Sequence, residues 1–195
     1  KETKKMIQEY LDLVDYSANY KTSVQNVLSR IIDFSATSSE EYVALKTELL
    51  QRTQSRPDDL VLSELVTWFF IQSKDFPTAL MQEQAMDKRM DLKGRRVYDL
   101  GIICVENNDY TTARKAFTYV KNLGETAPLY YQAENAMLNT RYKEIITARN
   151  LSAAEINETV QEYESTIARI GKNYRSLPLI IELAHIQAFY NDQSA

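Results

Sequence analysis

At 195 residues the chain is the size of one domain or one short repeat array. Four glycines and four prolines are too few for a turn-rich β-sandwich or a collagen-like chain, and 44% hydrophobic with 26% charged residues excludes wholesale disorder. A net charge of −4 lacks the basic face of a general nucleic-acid binder, and the single cysteine allows no internal disulfide.

In chain order, residues 3–15 place Met6, Tyr10, Leu11 and Val14 on one face of an amphipathic helix, expected to stand unpaired within 1–20. A helix pair follows at 21–53, within a unit of 21–57. From there a period emerges. An acid followed by an aromatic occurs at Glu41-Tyr42, Asp75-Phe76 and Asp109-Tyr110, each 34 residues after the last. Three residues beyond each aromatic stand Leu45, Ala79 and Ala113, and Val66, Thr67 and Phe70 map onto Leu100, Gly101 and Cys104 at the same offset. A fixed period of this length is the mark of a helical repeat.

In the unit 58–93, Asp75 is an N-cap and Pro77 a first-turn residue. The unit 94–127 is the clearest. Val97, Leu100, Gly101 and Cys104 form one helical stripe, Asp109 caps a second helix, and Ala113, Ala116, Phe117 and Val120 form its stripe before Gly124. The unit 128–177 is longer by 16 residues, since Pro128 and Pro178 stand 50 apart, so both its helices are expected to gain about two turns. Ser152 with Glu155 is a capping box opening the second of them. A last helix is expected over 178–190, unpaired within 178–195 and stopping at Asn191-Asp192, a repeat of the Asn108-Asp109 pair.

With Val97, Leu100-Gly101, Cys104, Ala113 and Phe117 in these places, residues 58–128 resemble the tetratricopeptide repeat family, whose 34-residue unit is a helix–turn–helix. Gly101 and Ala113 are the small residues that let the two helices cross closely. The resemblance implies an all-α fold, a right-handed superhelix of about ten helices in antiparallel pairs. It also implies a concave groove lined by the first helix of each pair. On this chain that face carries Glu64, Trp68 and Gln72, then Arg95, Tyr98, Asp99, Ile102 and Glu106, then Gln132, Asn135 and Asn139. Trp68 fits either the core or the groove. The family's clamp of paired Lys and Asn for a partner's C-terminal carboxylate is missing from Glu64, Trp68, Tyr98 and Ile102.

Residues with chemical potential read as structural ones. Cys104 and His185 are the only members of their types, sit on helices and are expected to pack; no catalytic, cofactor or metal site is expected. Glu40/Glu41 and Asp58/Asp59 stand at helix starts, while Asp87/Asp91 alternate with Lys88, Arg89 and Lys93 as on a solvated face. Lys88, Arg89, Lys93, Arg95 and Arg96 form the densest basic cluster, suited to a helix C-terminus. Gly171-Lys172 lacks the rest of a phosphate loop. The triplets beginning at Asn150 and Asn157 match glycosylation acceptors, which matter only in a secreted chain.

The expected function is a non-enzymatic scaffold holding a protein or peptide partner in the groove. The alternative is a spacer, self-assembly or sensory segment of a longer protein, its partners being further repeats of the same chain. Nucleic acid and direct membrane insertion are not expected, the longest apolar run being residues 65–71 with Thr67 inside it. A first residue that is Lys1 rather than Met is expected of a trimmed piece, and leans towards an exported, bacterial periplasmic chain over a cytoplasmic one.

Overall fold

The computed structural model describes residues 2–147, 152–174 and 176–190. Among these the chain is all-α, with ten α-helices, one 3₁₀ turn at Ala18–Tyr20 and no strand. The helices are α1 (Glu2–Tyr16), α2 (Lys21–Ile31), α3 (Glu40–Ser55), α4 (Leu60–Gln72), α5 (Phe76–Met90), α6 (Arg95–Glu106), α7 (Tyr110–Lys121), α8 (Tyr130–Thr147), α9 (Ala153–Ile170) and α10 (Leu177–Phe189). Asn150, Asn191 and Asp192 lie outside the described residues.

Local chemistry sets these boundaries. Ser39, Asp59, Asp75 and Asp109 each accept backbone N–H groups at the start of a helix, which satisfies donors that the first turn leaves open. Ser152 and Glu155 close a capping box, whose hydrogen bonds hold the Glu155 carboxyl below its ordinary range. The 34-residue period is written into the backbone as well. Lys74 and Asn108 both adopt left-handed φ, 55° and 62°. Each precedes a capping aspartate whose N–H reaches back, Asp75 to Phe70 O and Asp109 to Cys104 O, at 2.9 Å in both.

Contacts divide the chain into two units, residues 1–92 and 93–195. In the first, α3 packs on α1 and α4, α4 packs on α5, and α2 touches α1 and α4. The expectation of an unpaired first helix followed by a 21–57 hairpin is corrected here: α1 has α3 as its partner. A charged seam runs along this pairing. Arg52 of α3 donates to Asp12 (2.7 Å) and Asp15 (2.5 Å) of α1, and to Glu48 (3.0 Å) on its own helix. Gln8 of α1 donates to Glu48 at 3.0 Å beside it. Ile7, Leu11, Val14, Leu45 and Leu49 are buried in this unit.

In the second unit α6 pairs with α7, α7 with α8, and α6 also lies beside α8. Gly101 is the closest approach. A Cβ there would stand 2.6 Å from Phe117 Cε1, so the ring of α7 rests directly on the backbone of α6. The helices α8 and α9 run 18 residues each, against 12 for α6 and α7. With α10 they enclose a core of Leu138, Ile145, Ile156, Val160, Tyr163, Ile167, Leu179 and Ile186. The last helix is therefore not unpaired on its inner side: it packs on α9 and α8. Its outer stripe, Leu177, Ile181, Ala184 and Ala188, is exposed.

Candidate functional site

The first unit holds three of the candidate groove residues. Glu64 forms an ion pair with Lys21 of α2. Trp68 is half-buried, its ring edge-on to Phe34 at 5.5 Å between centroids, and Phe34 also meets Phe69. Gln72 is exposed at the end of α4. The Phe34 contact, supplied by the segment between α2 and α3, gives Trp68 a packing partner that helical spacing alone does not reveal.

In the second unit a cleft of about 430 Å³ runs between α6 and α8. Tyr98, Ile102, Val105 and Glu106 form one wall, and Gln132, Asn135, Ala136, Asn139 and Lys143 the other. Tyr98, Ile102 and Glu106 share a face of α6 because they recur every four residues, and Gln132, Asn135 and Asn139 do so on α8 at steps of three and four. Sequence reading missed Val105, Ala136 and Lys143. Continuing the α8 series by one more step of four reaches Lys143, and stepping four from Gln132 reaches Ala136. Arg95 and Asp99 are not on the walls. They pair with each other at 3.0 Å, largely exposed, at the start of α6.

The walls differ in character. Tyr98 packs its ring 5.5 Å from Phe117, and burial, with the Asp99 carboxylate adding to it, pushes its phenol above the ordinary value. The α8 wall is a row of amides. Asn139 is held in place, its Nδ2 donating to Glu182 Oε1 at 2.7 Å. The Tyr163 hydroxyl lies 2.7 Å from Glu182 Oε2 and 2.9 Å from Leu138 O, between two acceptors. Burial and the Glu182 carboxylate push the Tyr163 phenol far up. With one amide hydrogen committed to Glu182, Asn139 keeps its oxygen and second hydrogen for other partners.

Cys104 is fully buried, and that burial pushes its thiol up to about 12. A thiol so placed is a packing group, since the thiolate needed for nucleophilic chemistry is disfavoured. His185 Nδ1 lies 3.0 Å from the Tyr142 hydroxyl, with the Tyr142, Phe189 and Tyr190 rings around the imidazole. Asp87, expected on a solvated face, is instead buried in α5 together with Glu83. Arg89 donates to the Pro57 carbonyl and lies 3.6 Å from Asp58. Among the described residues no group of three or more His, Cys, Asp or Glu could hold a metal ion, and no helix is long and apolar enough to cross a membrane. Comparison with protein-family models found no match, nor did comparisons with curated proteins and with solved structures.

Proposed function

We propose that the chain is a non-enzymatic binding module built of helix pairs of tetratricopeptide type, and that the α6–α8 cleft holds an extended segment of a protein or peptide partner. One observation carries the reading: six residues chosen from sequence for a groove, Tyr98, Ile102, Glu106, Gln132, Asn135 and Asn139, line a single cleft. The amide row supports an extended occupant. Asn135 and Asn139, four apart, are separated by ~6 Å along the helix, close to the ~6.6 Å between same-side peptide groups of a strand, and Gln132, with its longer side chain, stands ~4.5 Å before them. Amides can both donate to and accept from such a backbone, while Tyr98 and Ile102 offer apolar area to its side chains. The burial of Cys104 supports the absence of thiol chemistry. Heptapeptides selected from a random library on the wild-type chain should bind an Ile102→Glu/Asn135→Ala variant at least about tenfold more weakly, by calorimetry. Equal affinity would show that the peptides do not bind in this cleft.

A second reading, a stacking element of a longer array, has one observation in its favour. Leu177, Ile181, Ala184 and Ala188 form an uncharged exposed stripe along α10. If that stripe drives assembly, sedimentation should show concentration-dependent association that Ile181→Glu abolishes. A monomer at every concentration would exclude self-stacking through α10.

A further inference from the structure

A second, larger cleft of about 760 Å³ opens on the other side of the α8 N-terminal turns. Gln132 and Asn135 line both clefts, so the two meet along one edge of α8. Pro128, Tyr131 and Ile170 supply apolar wall to the second cleft, and Arg169 stands over the Tyr131 ring at 5.7 Å. Arg169 pairs with Glu134, and Lys121 lies 4.0 Å from the same carboxylate, while Glu125 is an exposed member of the lining. An anion entering here meets two carboxylates. A flat apolar ring can lie against Pro128, Tyr131 and Ile170 without displacing any of these pairs.

Resting on the reading of the α6–α8 cleft as a peptide groove, we infer that this second cleft is its specificity pocket, taking one aromatic side chain of the bound segment. The main chain lies along Asn139, Asn135 and Gln132, and the side chain projected past Gln132 enters between Tyr131 and Ile170. Tyr131 packs against Tyr130 and Arg169 and is still 51% exposed, which leaves part of an aromatic ring open in the cleft. An incoming ring meets Tyr131 edge-to-face or stacks on the Arg169 guanidinium, geometries that add to simple burial of area.

The test uses four blocked heptapeptides, threonine at every position except the central one, which is Trp, Ala, Glu or Arg. Binding is measured by calorimetry and by chemical shifts of the Gln132, Asn135 and Asn139 side-chain amides. The Trp peptide should bind at least about tenfold more tightly than the Ala peptide, with Glu and Arg no better than Ala. Tyr131→Ala should erase the Trp advantage and leave the Ala peptide unchanged, whereas Tyr131→Phe, which keeps the ring, should retain the advantage. A Trp peptide no tighter than Ala, or an advantage that survives Tyr131→Ala, overturns the pocket. If all four peptides move the amides equally, the groove stands and only the pocket falls. If none moves them at millimolar concentration, the groove reading fails and takes the pocket with it.

Discussion

Replacing Phe117 with alanine is expected to cost about 3–5 kcal/mol of stability, because a fully buried ring leaves a cavity at the centre of the α6–α7 pair. Urea denaturation followed by circular dichroism reads this as a lowered midpoint. The neighbouring glycine gives a sharper version of the test. Gly101→Ala adds a methyl that would sit 2.6 Å from Phe117 Cε1. Overpacking costs about 1–3 kcal/mol, against a gain of about 1 kcal/mol in helix propensity, so the clash wins and the variant is destabilised. In the Phe117→Ala background the clash is gone and only propensity remains. Gly101→Ala should then stabilise. This reversal of sign is a coupling that no independent pair of sites produces. A Gly101→Ala change that stabilises the wild-type chain would mean that the ring does not rest on the glycine.

Removing Arg52 is the second large effect. Its guanidinium is the shared donor for Asp12, Asp15 and Glu48, and its side chain is only 13% exposed. Arg52→Met keeps the stem but strands a buried Glu48 beside Gln8, at a cost of about 2–3 kcal/mol. Lysine has one point of charge where arginine has a fork, so Arg52→Lys should recover only part of the loss. The Arg95–Asp99 pair supplies the comparison. Both of its side chains are more than half exposed, and Arg95→Ala should change stability by less than about 0.5 kcal/mol. Thermal unfolding of the three variants checks the order. Equal effects from Arg52→Met and Arg95→Ala would show that the seam between α1 and α3 contributes nothing special.

Periodicity made the helices legible. Val97, Leu100, Gly101 and Cys104 were readable as one stripe because residues that must leave water recur with the helical turn, and all four are buried. Asp75 and Asp109 were readable as caps because a short carboxylate answers the open N–H groups of a first turn. Six of the residues that line the α6–α8 cleft were readable as the faces opposite the packing stripes, while Val105, Ala136 and Lys143 were not. Helix pairing was much less legible. Amphipathicity says which face is buried but not against what, and the bond from Arg52 to Asp12 joins positions 40 apart. Trp68 stayed ambiguous for a similar reason: Phe34, which meets it, belongs to a connection with no periodic pattern to read. The burial of Asp87 was hidden by Lys88 and Arg89, which follow it in sequence but lie on other, exposed sides of α5, and by Asp91 and Lys93 beyond the helix end.

If an extended main chain lies along the amide row of α8, facing Tyr98 and Ile102, a heteronuclear correlation spectrum of the labelled chain with a library-selected heptapeptide added should register it. The side-chain amides of Gln132, Asn135 and Asn139 are then expected to shift together with the backbone of α6 around Tyr98 and Ile102. Shifts confined to the outer stripe of α10, with the amide row unmoved, would contradict it.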